Sequence, residues 1–469
     1  MRAGTVKAGV AAGHPATAAA GVAILEAGGS AVDAAVAAGL ASCVAETVMT
    51  GLLGGGHAVV LDAAAGSVRN LDCFCAVPGL GGEPRDAELL ELAVPFGAEL
   101  VHYAIGPASC AVPGVAAGLG ELWRAHGRLP WRDLVEPALR LARDGVEMPQ
   151  AHVDCLHMLE PVLTLREGAR MYKPGGRLLE PGGRLEQPGL VAALESLAEE
   201  GAEGAYTGTI GEALLALSND RGGRLTRADL VAYESRWSDP VETPWLGLRF
   251  LSRGGLTGIP PTLPLLRPLR ALSPSERLVA LVEALAGGTG PETHTTNLVA
   301  VDADGNACVL TTSLGLGSGD WLPGLDLHLN SMLGETDLIS EALVAGARME
   351  SMMAPSLALD PDGLALAIGA AGGTRLRTAL VSVAAGILDE GLDPQAAVDR
   401  ARVHPAGVVV NAEPGADEDG LLALEATGWA VRRWPERHHY FGGVSAIGRS
   451  GAAADPRRSG AALEARPAG

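Results

Sequence analysis

The chain has 469 residues, 48% of them hydrophobic, and a formal net charge of −20. That is enough apolar material for one large core, and the acidic balance without a dense basic patch excludes nucleic acid and anionic membrane as partners. Only two of the 35 basic residues are lysines, Lys7 and Lys173, a bias of coding composition. Six scattered cysteines (Cys43, Cys73, Cys75, Cys110, Cys155, Cys308) show no metal-ligand spacing and read as buried free thiols.

In chain order, residues 14–27 are Ala-rich and predict a helix ended by Gly28-Gly29. Ser30-Ala31-Val32-Asp33 forms a capping box for a second helix running to about Ala45. That helix is apolar nearly all round, so it belongs inside a core. Its apolar run, Ala34 to Ala45, is too short to span a bilayer. The start lacks a signal-peptide pattern, so a cytoplasmic protein is expected. The loop Gly51 to His57 leads to two strands, Ala58–Asp62 and Val68–Asp72, joined at Gly66. Residues 80–108 look irregular. Helices follow at Val115–His126 and from Trp131 to near Gly145, and residues 150–235 read as helices with glycine-rich breaks.

Strands over Val241–Leu251 lead through a proline-rich stretch, residues 258–274, to a helix at Ser275–Ala286. Gly287-Gly288-Thr289-Gly290 is a flexible linker. Thr293 to Asn306 then reads as a loop, a strand from Leu298 to Val301 and an Asp302-Ala303-Asp304-Gly305-Asn306 turn, with a second strand at Ala307–Thr311. Further strands run to about Leu329. Strand Leu364–Ile368 enters Gly369-Ala370-Ala371-Gly372-Gly373-Thr374, which opens a helix over Arg375–Leu388. Strands near 407–411 and 443–448 complete the fold. The Ala/Gly/Arg/Pro-rich segment 451–469 is expected to be a disordered tail. Layered sheets with helices outside are expected.

The two N–H groups of Gly372-Gly373, at a helix start, suit an oxyanion. Phosphate binding by Gly369-x-x-Gly372-Gly373 is the alternative, but no lysine accompanies it. The reading calls for no cofactor and no metal.

Several segments, in this order, resemble the gamma-glutamyltranspeptidase family of N-terminal-nucleophile hydrolases. They include Ala12-Gly13-His14-Pro15, Gly28-Gly29-Ser30-Ala31-Val32-Asp33, Gly54-Gly55-Gly56, Val112-Pro113-Gly114, Leu129-Pro130-Trp131, Gly223-Arg224-Leu225-Thr226, Thr295-Thr296 with Asp302-x-Asp304-Gly305-Asn306, and Gly372-Gly373-Thr374-Arg375. The resemblance implies an α+β fold, a four-layer αββα sandwich. It also implies a zymogen that cuts itself between His294 and Thr295, giving subunits 1–294 and 295–469 of one intertwined domain. Thr295 is then the nucleophile, and its own α-amine, with an ordinary pKa of roughly 7.7–8, the base. Ser313 stands where the family has a second threonine beside the nucleophile, and Gly372 and Gly373 form the oxyanion hole.

The substrate-binding positions depart from the family. Phe74 replaces an arginine that holds the γ-glutamyl carboxylate, and Gly315 replaces an asparagine. Ser331 and Glu335 stand beyond Asn330 where an amide-and-acid pair is usual, and Ser351-Met352 replaces two serines. Asn297 replaces a common histidine. Loss of the guanidinium fork removes bidentate carboxylate recognition. The expected function is therefore hydrolysis or acyl transfer at an amide bond of a small-molecule substrate, with γ-glutamyl specificity open. One alternative is an antibiotic-pathway enzyme cleaving a C–C bond beside a carbonyl. Another is an unprocessed binding protein.

Overall fold

The computed structural model describes residues 6–82, 89–96, 99–286, 295–335, 338–339 and 342–466. Two antiparallel sheets carry the architecture. Their strands are β1 (Gly9–Ala12), β2 (Gly55–Asp62), β3 (Ser67–Cys73), β4 (Arg236–Ser238), β5 (Val241–Trp245), β6 (Leu248–Ser252), β7 (Thr296–Val301), β8 (Ala307–Ser313), β9 (Ser356–Asp360), β10 (Gly363–Ala371), β11 (Gly443–Gly448), β12 (Gly451–Ala454) and β13 (Ala461–Glu464). The first sheet has the order β13-β1-β7-β8-β2-β3-β4, and the second β12-β11-β10-β9-β6-β5.

Alternation along the strands explains the four layers. In β7 and β8, Val299, Val301 and Val309 point between the sheets and meet Leu357, Leu359, Ala367 and Ile447 of the second sheet. Their neighbours Leu298, Ala300, Cys308 and Leu310 point the other way, onto helices Pro15–Glu26 and Ala31–Ala45. The second sheet likewise turns Ala358, Leu366, Ile368 and Val444 onto helices Pro274–Leu285 and Arg375–Leu388. Sheets apolar on both faces must be covered on both faces, and the result is the αββα sandwich.

Local chemistry fixes the elements. All fifteen residues of helix Ala31–Ala45 are buried, and the Ser30–Asp33 capping box starts it. The turn after β7 secures the same helix: Asp302 Oδ2 accepts the Ala31 N–H at 3.0 Å, while its Oδ1 accepts the N–H groups of Asp304 and Asn306 at 3.0 Å each. Gly305, at φ +85°, lets the turn close.

Two expectations are corrected. Residues 80–108 contain a hairpin, with strands Leu90–Phe96 and Glu99–Ile105 paired from Leu90↔Ile105 to Phe96↔Glu99. The segment 451–469 is built into both sheets through residue 464: β12 extends the second, and β13 pairs with β1 along the edge of the first. Small residues permit that edge, since a Cβ on Gly9 would lie 2.6 Å from the Leu463 carbonyl oxygen. Between those strands Asp455 is buried in ion pairs with Arg402 (2.5 Å) and Arg457 (3.2 Å). Helix Pro274–Leu285, capped by Ser273, matches the expected one to within a residue. The Gly287–Gly290 linker, Thr293 and His294 lie outside the described residues. No helix among the described residues is long and apolar enough to cross a membrane.

Candidate active site

Register decides which side chains share the end of the sandwich. Thr296 pairs with Thr312 and Ser313 with Gly55, and Gly56 pairs with Cys73. One residue further on each pairing, Thr295, Ser313, Gly55 and Phe74 fall into one row across four strands, on the face toward the second sheet. All are buried, Thr295 to 2% exposure and Ser313 and Phe74 to 1%. Ser313 Oγ accepts the Gly315 N–H at 2.8 Å. Gly55 must lack a side chain: a Cβ there would meet Cys75 Sγ at 2.9 Å and Phe74 Cδ2 at 3.0 Å.

The next row down is Asn297, Thr311, His57 and Asp72. Asn297 Nδ2 donates to the Leu310 carbonyl (3.1 Å) and to Thr311 Oγ1 (2.9 Å). It faces Gly369 of β10, where a Cβ would lie 2.0 Å from Nδ2. Asn297 thus stitches the hairpin beneath Thr295 and demands glycine opposite. His57 stacks under Phe74, centroids 5.6 Å apart and planes 16° from parallel. Burial, with the charges of Arg253 and Arg348, keeps its pKa well below the usual imidazole value.

The other face of the hairpin meets the helices. Thr312 Oγ1 lies 2.8 Å from Thr50 Oγ1. Thr296 Oγ1 donates to Glu46, whose other oxygen accepts from Thr17 Oγ1 at 2.7 Å. Glu46 caps the C-terminal end of helix Ala31–Ala45 and is 1% exposed. Burial pushes its carboxyl up to about 7, against the pull of the Thr296 and Thr17 hydroxyls and of Arg458. The negative end of a helix also disfavours a carboxylate. Glu46, Thr295, Thr296, Asn297, Met49 and Arg458 line one narrow cavity.

Gly372 and Gly373 follow β10, at φ +127° and +58°, and lead into helix Arg375–Leu388. Only glycine takes that pair of conformations without strain. A Cβ on Gly372 would stand 2.8 Å from Gly442 Cα and 3.3 Å from Arg458 Nη2. Arg375 and Arg377 serve the fold: Arg375 Nε donates to the Tyr440 carbonyl at 3.0 Å, and Arg377 Nη2 to that of Leu285 at 2.7 Å. Arg348 donates to the carbonyls of Phe74 and Glu234.

The expected substrate positions separate into groups. Gly315, Ser331 and Glu335 gather beside Ser313: a Cβ on Gly315 would lie 2.2 Å from Glu335 Oε1 and 2.7 Å from Ser331 Oγ. Phe74 packs with Val77, Met332, Leu333, Met349 and Met353 in an apolar cluster. Ser351 Oγ accepts the Met353 N–H at 3.2 Å, and its carbonyl accepts from Arg253. Met352 is half-buried next to it. Asn330 is held by the protein itself. Its amide hydrogens go to the carbonyls of Leu53 and Ala111, both at 2.9 Å, and its oxygen accepts the Ala111 and Met332 N–H groups. It pins two loops and has no donor left for a ligand.

Glu46 and Arg458 were not singled out from the sequence, and Gly13 entered only as part of the Ala12-Gly13-His14-Pro15 motif. Gly13 leaves room for Glu46, since a Cβ there would lie 2.5 Å from Oε2. Among the described residues no three His, Cys, Asp or Glu side chains are grouped to hold a metal ion. All six cysteines are buried and free.

Comparison with known proteins gives one consistent result. A family model described as gamma-glutamyltranspeptidase matches residues 17–277 and 270–465. The acylase ACY 1 proenzyme of Pseudomonas sp. (strain V22) is 28% identical, over 92% of this chain and 88% of that one. The glutathione hydrolase proenzyme of Pseudomonas aeruginosa is 25% identical, over 95% and 92%. The crystal structure of cephalosporin acylase from Bacillus halodurans shares the fold, with a TM-score of 0.83 at 23% identity over 98% and 96% of the two chains.

Proposed function

The chain belongs to the gamma-glutamyltranspeptidase family and is a hydrolase or acyltransferase, and on that premise we propose that it cuts itself before Thr295 and uses the new N-terminus on an amide bond. The observation that carries this reading is the row of Thr295, Ser313, Gly55 and Phe74 at one end of the sandwich.

In the cut, Thr295 Oγ attacks the preceding carbonyl carbon, the C–N bond breaks, and the hydroxyl proton passes to the departing nitrogen. Water then hydrolyses the resulting ester. In turnover the freed α-amine takes the Oγ proton as Oγ attacks the substrate amide carbonyl. The Gly372 and Gly373 N–H groups stabilise the oxyanion. The ammonium returns its proton to the leaving amine, and water or an acceptor amine releases the acyl group. Ser313 orients the nucleophile. The two subunits of the one precursor stay together because β1, β2 and β3 share a sheet with β7 and β8.

A γ-glutamyl acyl group is not the favoured substrate of this site. Phe74 and its methionine neighbours present carbon and sulfur where a carboxylate clamp would need a cation. An acylase-type substrate with an apolar acyl part is favoured, as the acylase relative also suggests.

A denaturing gel with N-terminal sequencing tests the cut: two bands are expected, the smaller beginning at Thr295, and one persistent band overturns the reading. Paired anilides test the substrate. An aliphatic acyl nitroanilide should be turned over faster than its γ-glutamyl counterpart, and the reverse order overturns the specificity.

A further inference from the structure

A cut before Thr295 creates an amine at a residue that is almost fully buried. Each time that amine serves as base it becomes an ammonium, and a buried ammonium needs a counter-charge. The cavity beside Thr295 has two carboxylates in its wall, Glu46 and Asp455. Asp455 is committed to Arg402 and Arg457. Glu46 receives only the Thr17 and Thr296 hydroxyls and makes no ion pair among the described residues. It is a buried acid that feels the charge of Arg458 but pairs directly with no cation among the described residues, in the wall of the cavity beside a latent amine. The space around it is reserved, because any side chain on Gly13 would collide with its carboxylate.

The other titratable groups in the cavity wall, and His14 and Cys43 behind it in the chain's first two helices, do not compete for the role. Burial drives His152 down to about 3 and also lowers His14, so both are neutral. Cys43, on the same helix as Glu46, is pushed up to about 12 and stays a thiol. Arg458 is the cation of the opposite wall, with Nη1 3.2 Å from Met49 Sδ. It favours ionised Glu46 and keeps the amine from holding its proton too tightly.

We infer that Glu46 is the counter-charge of the processed N-terminus: a positioning residue whose carboxylate, held by Thr17 and Thr296, stabilises the Thr295 ammonium formed when the α-amine takes the hydroxyl proton. No bond to Glu46 forms or breaks. The Oγ proton moves to the amine nitrogen, Oγ bonds to the acyl carbon, and the carbonyl electron pair moves to oxygen. Glu46 does for the ammonium what the aspartate of a serine–histidine–aspartate triad does for the imidazolium.

The inference rests on the cut before Thr295, and one experiment separates the two. Full-length protein is labelled with trace acetic anhydride across a range of pH, and acetylation of the Thr295 amine is read by mass spectrometry. An opposite charge shifts a neighbour's pKa by roughly one to three units. The amine midpoint should therefore fall by about one unit or more in Glu46→Gln, fall less in Thr17→Val, and return toward wild type in Glu46→Asp. Cut variants that keep the wild-type midpoint overturn the inference alone. Should Glu46→Gln stay uncut, Thr17→Val decides on the same criterion. An uncut wild type overturns both the inference and the reading it rests on.

Discussion

At one end of the row across the first sheet, Thr295 stands among hydroxyls and buried charges: Thr296, Thr17, Glu46 and Arg458. At the other end, Phe74 is packed among valine, leucine and methionine side chains. The two ends are joined by Ser313 and Gly55. Polar groups at the first end are positioned by backbone register and by one another, and they suit bond-making. The second end presents apolar side chains, with Arg348 bound to the Phe74 carbonyl, and suits shape. On the proposed function, chemistry and specificity are separable along one row, and each should break without the other.

The most severe break at the polar end is Thr295→Ala. On the proposed function it removes the nucleophile for the cut and for turnover, so a single chain should persist on a denaturing gel. Acyl-anilide turnover should fall by at least about 10⁴-fold, the scale of losing a catalytic nucleophile. Its counterpart at the apolar end is Phe74→Ala. Removing a fully buried ring leaves a cavity and should cost about 3–5 kcal/mol in denaturant unfolding. The cut should still occur in whatever fraction folds. If Phe74→Ala abolishes the cut in folded protein, the two ends are not separable.

A smaller effect separates charge from packing at the polar end. Glu46 binds its proton more tightly in the folded chain, with a pKa of about 7, than an ordinary glutamate. The folded state then binds more protons than the unfolded one between roughly pH 4.3 and 7, so this group's contribution is fully present below that window and is lost as pH rises through it. In the uncut Thr295→Ala background, wild-type Glu46 should lose on the order of 3 kcal/mol across the window relative to Glu46→Gln. Parallel stability-versus-pH curves for the two proteins would show that Glu46 is not held protonated.

The sequence displays the polar end more fully than its surroundings, for a physical reason. Capping boxes, a period-two hairpin with an Asp-x-Asp-Gly-Asn turn, and a Gly-Gly pair before a helix are local patterns, and each was readable. The pairing of β13 with β1 has no local signature, because its partner lies over 440 residues away in the chain. An Ala/Gly/Arg/Pro composition then looks like a disordered tail although Ala453, Ala454, Asp455, Arg457 and Arg458 are buried. Pro95 hid the strand Leu90–Phe96, which belongs to a two-stranded ribbon where proline is tolerated. Glu46 reads as a polar residue ending an apolar helix until folding brings Thr17 and Thr296 to it. Nor does the sequence show that the Asn330 amide, at a position the family resemblance marks for substrate, bonds to the carbonyls of Leu53 and Ala111.

The finest probe lies at the join between the ends. Ser313 Oγ accepts the Gly315 N–H at 2.8 Å, and Gly315, at φ +68°, begins the turn that brings Ser331 and Glu335 alongside. Ser313→Ala leaves a buried N–H without that acceptor, which costs about 1 kcal/mol of stability. If the hydroxyl only shapes the turn, turnover per folded molecule should be nearly unchanged. If it also orients Thr295, kcat should fall about tenfold to a hundredfold with little change in KM, as for an interaction made in the transition state. Ser313→Thr keeps the hydroxyl and should recover most of kcat, whereas a loss equal to that of Ser313→Ala would assign the residue to the turn alone.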